Sequence, residues 1–350
     1  MKKKCILYIF SCLLLQLSCN ERDRHVQIVA LPDAVELTST PVHIDVELLL
    51  PTRTLIKGDK LFVFEQLAED MFKVFDFPSL TYLHSFGNMG RGPNEFLTII
   101  GNDEIIDSNT EFVEVLDYET LKFIDFSSFP PFIQSTISLP LPILKQPVNR
   151  MRKINDSIYY FSNWFDGDDT NEFTRININT GQISYFSPYP KWIKNFQTTN
   201  EKYLTYSKLS GYSFIHQKIV AFYYHYPALK FIDYEGNVIK EIRINTSNSN
   251  FSVPNIDDVY FMETQFFTND HIYVIWLGGK PYDEIFDNPK KYLFEILVFD
   301  WEGNIADRYR LDQPICAFTI SEKTGKMYCT PFPEIEPITV IYEYDIPLLK

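Results

Sequence analysis

The sequence predicts an all-β fold, a six-bladed β-propeller closed by an N-terminal strand. Its apolar segments are short and alternate with polar residues, and 16% of the 350 residues are aromatic. Both features are typical of half-buried strands rather than of amphipathic helices. In addition, one unit recurs along the chain, made of an apolar strand, an acidic or polar turn and a second strand. These three observations together favour a repeated sheet architecture.

The repeated unit occurs six times, and its last copy is incomplete. The copies are FKVFDFPSLTYLHSF (72–86), FVEVLDYETLKFIDF (112–126), FTRININTGQISYF (173–186), ALKFIDYEGNVIKEIRI (228–244), YLFEILVFDWEGNIADRYRL (292–311) and TVIYEYDIPLLK (339–350). Their turn markers lie 41, 60, 56, 67 and 45 residues apart and are Asp76, Asp117, Asn177, Asp233, Asp300 and Asp345. A blade of four strands takes roughly 40–50 residues, so the markers predict six blades, some of them with longer loops.

The sixth copy lacks its outermost strand, which a strand near the N-terminus can supply. Residues 26–30 (VQIVA) and 42–50 (VHIDVELLL) both have strand patterns. Such a closure joins the first and last blades and removes an open sheet edge. We therefore divide the chain into a signal peptide at 1–18, a tether with a possible closing strand at 19–41, and the propeller at 42–350.

The N-terminal residues predict export and a lipid anchor. Three lysines precede an apolar run from Cys5 to Leu15, which is shorter than the roughly 20 residues of a spanning helix. The ending Leu17-Ser18-Cys19 resembles a bacterial lipobox, in which Cys19 is lipidated and becomes the first residue of the mature protein. A polar stretch follows at 20–24, as expected of a tether.

Charge and cysteine content exclude some partners and sites. The net charge is −14, and loss of the three lysines of the signal peptide makes it −17. Nucleic acid is therefore not an expected partner, because phosphate backbones require stripes of lysine and arginine. Cys316 and Cys329 remain after processing. A three-residue hairpin loop with Gly325 in the left-handed conformation sets Cys329 opposite Thr319, so a disulfide between the two cysteines requires a different register.

The densest glycine cluster lies in SFGNMGRGPNEF, residues 85–96. We expect this loop to carry the chain from the outermost strand of blade one, which ends at Phe86, to the innermost strand of blade two, which begins at Phe96. The glycines supply positive φ angles, and the loop is either structural or a binding site. Its candidate residues are Gly87, Gly90, Arg91, Gly92, Pro93 and Glu95, with Glu95 expected to bind loop amides or Arg91.

Two further sets of residues are candidates for ligand binding. Asp166, Asp168 and Asp169 group three carboxylates within four residues, as a calcium site requires, although the sequence favours a solvated turn between two strands of blade three. Tyr160, Trp164 and Tyr224 belong to aromatic runs that can stack on a ligand. Alternation along a strand also allows these rings to pack between blades. No catalytic residue and no other cofactor emerges from the sequence.

The stretch FKVFDFPSLTYLHSFGNMGRGPNEF resembles the first-blade signature of the TolB-like six-bladed β-propeller lipoproteins of Bacteroidetes. In that family a strand–turn–strand unit ends in an FG…G.GPNEF or GPGEF loop. The resemblance implies a lipid-anchored protein of the cell envelope, most naturally in the outer membrane, and it brings no catalytic residues.

Two classes of function remain open at this stage. The first is a binding module that presents an axial face to a protein or glycan partner. The second is a propeller hydrolase or lactonase whose acidic residues converge at the central axis, where two carboxylates about 5–10 Å apart can act as acid and base. The linear sequence selects no such pair.

Replacement of Cys19 by alanine tests the lipid anchor. We expect Cys19→Ala to release the protein from membranes or to block its processing, because the thioether to lipid can no longer form. Membrane fractionation and the mobility of the processed band report the result. A Cys19→Ala protein that is processed normally and still sediments with membranes contradicts the prediction.

Overall fold

The computed structural model describes residues 25–66, 68–97, 105–106, 112–117, 120–139, 151–163, 170–193, 195–246, 251, 255–292, 294–332 and 338–349. These residues form six sheets arranged as the blades of a β-propeller, and the four blade strands of each sheet are antiparallel. The predicted fold class is therefore confirmed.

Three strands precede the first blade, and each joins a blade late in the chain. They are β1 (Val26–Val29), β2 (Val35–Leu37) and β3 (Thr40–Leu48).

The blades follow in chain order, each running from an innermost strand at the axis to an outermost strand. Blade one contains β4 (Pro51–Lys57), β5 (Lys60–Glu65), β6 (Asp70–Asp76) and β7 (Tyr82–Asn88). Blade two contains β8 (Ile105–Ile106), β9 (Val113–Asp117), β10 (Thr120–Asp125) and β11 (Phe132–Ser138). Blade three contains β12 (Arg152–Lys153), β13 (Ile158–Ser162), β14 (Asn171–Asn177) and β15 (Ile183–Pro188).

Blades four to six complete the ring. Blade four contains β16 (Lys208–Ser213), β17 (Lys218–Tyr223), β18 (Ala228–Asp233) and β19 (Val238–Ile244). Blade five contains β20 (Asp258–Phe267), β21 (His271–Pro281), β22 (Glu295–Asp300) and β23 (Ile305–Leu311). Blade six contains β24 (Ile315–Ser321), β25 (Lys326–Pro331) and β26 (Ile338–Asp345), with β3 as its outermost strand.

The three N-terminal strands pair with the outer edges of three of the six blades. β3 pairs antiparallel with β26, which is the predicted closure. β1 pairs parallel with the outer edge of β19, and β2 pairs parallel with the outer edge of β23. The segment 19–41, predicted to hold a tether and a possible closing strand, thus contributes β1 and β2, and the strand that closes blade six begins at Thr40 rather than at Val42. Together the three strands cover the outer edges of blades four, five and six.

Helical structure is confined to connections. Helix α1 (Thr199–Thr205) begins after Thr198, whose hydroxyl accepts a hydrogen bond from the Glu201 amide, and α2 (Tyr282–Asp287) follows β21. Two 3₁₀ turns occupy Pro289–Lys291 and Pro347–Leu349. In the part of the chain that the structure describes, no helix is long and apolar enough to cross a membrane.

One turn marker was assigned to the wrong hairpin. Asp76, Asn177, Asp233 and Asp300 end the third strand of their blades, but Asp117 ends β9, the second strand of blade two. The equivalent residue in blade two is Asp125, at the end of β10. The error arose because both hairpins of this blade have an aspartate at a strand end followed by polar residues, so the pattern alone does not distinguish them.

The cysteine hairpin also differs from its expected register. Gly325 has the expected positive φ of 66°, but Ser321 pairs with Lys326, so the loop has four residues. Cys329 therefore lies opposite Phe318 rather than Thr319, and no disulfide joins Cys316 to Cys329. Burial raises the pKa of the Cys329 thiol.

Apolar side chains fill the space between neighbouring blades, and buried ion pairs cross the same interfaces. Glu172 of blade three is fully buried and receives the ammonium groups of Lys208 and Lys230 from blade four. The Tyr223 hydroxyl, also from blade four, donates to Glu172 at 2.8 Å. Because Glu172 neutralises two lysines that are themselves buried, this cluster fixes how blades three and four dock.

Glu172→Gln removes the negative charge at this interface while nearly preserving side-chain volume. We expect a loss of about 3 kcal/mol in the free energy of unfolding, because two buried lysines lose their counter-ion. Urea unfolding monitored by circular dichroism measures it. Asp156→Asn is the matched control, since Asp156 pairs with Lys153 through a fully exposed carboxylate and should change stability little. Equal stability of the two variants contradicts the prediction.

Candidate functional site

A cavity of about 120 Å³ opens at one end of the propeller axis. The innermost strands of four blades line it, together with the hairpins that follow two of them and the turn between β22 and β23. The lining residues are Arg53, Arg152, Lys153, Gly211, Tyr212, Ser213, Phe214, Ile215, Gln265, Phe267, Thr268, Asn269 and Trp301. We call this space the axial cavity.

Arg152 forms its inner wall. It lies on the two-residue strand β12, where it pairs with Tyr160 of β13, and only 6% of its surface is exposed. Its Nε donates to the Ser210 carbonyl and its Nη1 to the Met151 carbonyl, both at 3.1 Å. These carbonyls hold the guanidinium in place but do not neutralise its charge.

Lys153, the next residue, is a cation whose charge is balanced by a carboxylate. Its Nζ lies 2.9 Å from the buried Glu114 carboxylate of blade two, which also accepts a hydrogen bond from the Tyr159 hydroxyl. Burial and the charge of Glu114 raise the pKa of Tyr159, so the phenol stays protonated and keeps donating. Lys153 thus contributes mainly to docking blade two against blade three.

Gln265 adds a buried polar side chain to the cavity. Gln265 is 8% exposed and its Nε2 donates to the Ser210 carbonyl at 2.7 Å, the same oxygen that Arg152 binds. Gln265 and Arg152 therefore lie side by side. Within the described residues, Gln265 Oε1 is buried without a hydrogen-bond partner. A buried acceptor of this kind costs free energy unless a ligand or water satisfies it.

The mouth of the cavity is apolar and aromatic. Ile215 is 63% exposed at the tip of the β16–β17 hairpin, and Phe214 and Phe267 are half-buried beside it. The His216 ring stacks on Trp301 at 5.5 Å and its Nε2 contacts the Asn269 carbonyl at 2.8 Å. These contacts hold the two hairpins together, so the mouth has a fixed shape.

The glycine-rich loop lies elsewhere, at the junction of blades one and two. Gly87 has a positive φ of 92°, but Gly90 and Gly92 do not. A Cβ at Gly90 would lie 2.0 Å from Glu95 Oε2, and the Gly92 amide donates to that carboxylate. Gly90 and Gly92 are therefore needed to admit the Glu95 side chain, not for backbone conformation as expected.

The same loop is tied to blade two through its main chain. Lys122 donates to the Glu95 carbonyl at 2.6 Å and pairs with Asp117, whose carboxylate accepts from the Leu97 amide. Asn94 accepts from the Ile133 amide at 3.0 Å. Phe96 bridges back to Met89 instead of starting the innermost strand of blade two, which is β8. Arg91 and Pro93 are exposed at the tip of the loop.

The aromatic candidates do not come together. Tyr160 is fully buried and packs against Phe173 and Phe186, so its ring belongs to the core between blades three and four. Tyr224 is 8% exposed and belongs to the large core cluster of blades four to six. Trp164 lies outside the described residues, as do the calcium candidates Asp166, Asp168 and Asp169. Among the residues described, no cluster of three or more metal-binding side chains occurs.

Sequence reasoning did not find the axial cavity. Its side chains come from four separate blades and share no motif, and β12 is only two residues long. The available signal was the occurrence of Arg53 and Arg152 within the strand-forming parts of an acidic chain, at positions that begin a blade.

The family of this chain follows from comparison with known proteins. The model of the TolB-like 6-blade propeller-like family matches residues 32–323. The chain belongs to this family. The resemblance drawn from the glycine-rich loop is thereby confirmed.

Solved structures show the same fold at low sequence identity. An exported protein from Bacteroides fragilis aligns with a TM-score of 0.58 and 11% identity, over 92% of this chain and 99% of that one. A DUF4221 family member from Bacteroides vulgatus aligns with a TM-score of 0.55 and 11% identity, over 88% of this chain and 97% of that one. A search of curated proteins finds no match. At this identity the structural likeness establishes the fold of the TolB-like propeller and nothing further.

The contact between Gly90 and Glu95 predicts coupled effects on stability. Gly90→Ala should lower the free energy of unfolding by about 1–3 kcal/mol, because the new methyl group displaces a carboxylate that accepts an amide hydrogen bond. In a Glu95→Ala background the same change should cost almost nothing. Chemical denaturation of the two single variants and the double variant gives the coupling energy, and strictly additive effects would contradict this account.

Proposed function

We propose that this TolB-like propeller is an exported binding module, held at the cell envelope by lipid on Cys19, that takes a protein or glycan partner at the mouth of the axial cavity. The observation that carries the proposal is the cavity itself, where buried polar side chains lie beneath an exposed apolar rim. This combination, an apolar opening with a few oriented polar groups, is typical of ligand sites.

The direction of the N-terminal strand supports a particular orientation. β1 runs parallel to β19, so its first residue lies beside the turn that precedes β19, where His25 contacts the Ile239 carbonyl. Lys240 of β19 donates to the Glu302 carbonyl, next to Trp301 of the cavity. The described chain therefore begins at the same end of the propeller as the cavity mouth.

A lipid on Cys19 would keep that end near the bilayer. Five residues, 20–24, separate the lipidation site from His25, and the six steps from Cys19 to His25 span at most about 20 Å when fully extended. The mouth would then face the membrane surface and whatever is presented there. We assign the anchor to the outer membrane on the family resemblance, and the description of the Bacteroides fragilis neighbour as exported supports location outside the cytoplasm.

The charge of the cavity favours binding over hydrolysis. Glycosidase-type chemistry uses a pair of carboxyl groups, whereas the charged lining residues that the structure describes are Arg53, Arg152 and Lys153. Glu114 lies close by but is committed to Lys153 and Tyr159. The cavity therefore has the composition of a recognition site.

In-cell photo-crosslinking tests where the partner docks. A benzophenone amino acid in place of Ile215, at the mouth, should crosslink a discrete envelope component, and digestion with protease or glycosidase then tells protein from glycan. Ile256 is the matched control, because it is also an exposed isoleucine, at 55%, but precedes β20 and so lies at the opposite end of the axis. Crosslinks from position 256 alone, equal crosslinks from both positions, or none from either would overturn the proposal.

A further inference from the structure

The axial cavity is a local reversal of the charge of the protein. The chain carries a net charge of −14, yet three of the lining residues are cations and none of the lining residues that the structure describes is acidic. Glu114 neutralises Lys153 at 2.9 Å. The guanidinium of Arg152 instead has two carbonyls as its partners in the described part of the chain.

Burial makes this charge costly unless a counter-charge is present. A buried cation is normally paired, because carbonyl hydrogen bonds replace only part of its lost hydration. An arginine also presents a planar fork of donors that suits the two oxygens of an oxyanion. A ligand that brings such a group to Arg152 would supply the missing charge.

Gln265 specifies a second feature of the ligand. Its Nε2 donates to the Ser210 carbonyl, and its Oε1 is a buried acceptor beside Arg152 that has no partner among the described residues. An oxyanion has only acceptors and cannot satisfy Oε1. A hydroxyl on the same ligand can donate to it.

From these contacts we propose that the axial cavity binds a hydroxycarboxylate, the combination of carboxylate and neighbouring hydroxyls that a sugar acid presents. The carboxylate pairs with Arg152, one hydroxyl donates to Gln265 Oε1, and the C–H face of the ligand packs on Phe214 and Phe267 at the mouth. This inference rests on the proposed site and names the chemistry of what enters it.

Titration calorimetry with defined probes tests this chemistry directly. D-glucuronate carries both features, D-glucose has the hydroxyls without the carboxylate, and acetate has the carboxylate without the hydroxyls. At constant ionic strength we expect one glucuronate per protein and at least tenfold weaker binding of glucose and acetate. Lactate tests whether an open-chain hydroxy acid suffices in place of a ring. If the wild-type protein does not bind glucuronate or lactate, or binds acetate equally well, the proposal is wrong.

A negative charge introduced beside Arg152, at Gln265, tests the site by mutation. Gln265→Glu puts a carboxylate beside Arg152, where it neutralises the guanidinium and repels the carboxylate of the ligand, so glucuronate affinity should fall at least tenfold. Gln182→Glu makes the same change at an exposed position and should leave binding unchanged. If Gln265→Glu does not fold, as judged by circular dichroism, Arg53→Gln at the cavity wall should weaken binding several-fold. Wild-type affinity in the folded cavity variant would overturn the assignment, whatever crosslinking at Ile215 shows about the partner in cells.

Discussion

Backbone pairing between β3 and β26, from Thr40 opposite Glu343 to Leu48 opposite Ile338, joins the first described strands to the last blade. Closing a ring over so many residues is not prohibitive, because loop-closure entropy grows only with the logarithm of loop length. What closure provides is a complete circle of interfaces, in which each blade has two neighbours and no blade exposes its apolar face. The axial cavity exists only while the innermost strands of separated blades are held around one axis. The pairing of β3 with β26 thus determines the geometry of a cavity to which, among the described lining residues, neither strand contributes a side chain.

Within the closed ring, polar contacts decide how each blade meets the next. Apolar packing between β-sheets is tolerant of sliding, whereas a buried charge requires its partner at one position. Glu114 with Lys153 and Glu172 with Lys230 each place a carboxylate on one blade and an ammonium on the next. Such pairs are weak contributors to net stability but strongly penalise misdocked arrangements. Arg152 is next to Lys153 of one of these pairs in sequence, which helps to keep its guanidinium in a defined place although its partners among the described residues are carbonyls.

The fold could be predicted from the sequence because a propeller repeats one local pattern. An error in one copy of the repeated unit does not change the number of blades that the other copies indicate. Asp117 was assigned to the wrong hairpin, yet the blade count was unaffected. Features set by distant contacts were not accessible in this way. The register of the Cys329 hairpin depends on whether its loop has three or four residues. The requirement for glycine at position 90 depends on the position of the Glu95 carboxylate, which lies against Gly90. The cavity was beyond reach for the same reason, since Arg152 and Gln265 are 113 positions apart in the chain and meet only at the Ser210 carbonyl.

The contrast between an acidic surface and a cationic cavity also constrains what can enter. A large polyanion is repelled by the net charge of the protein before it can reach Arg152. A small group with a single negative charge meets less long-range repulsion, particularly since interactions beyond about 10 Å are screened at 0.1 M salt. Once inside, it meets a low-dielectric environment in which its attraction to Arg152 is strong. The ligand proposed for the axis is therefore a compact acid rather than a polyanion.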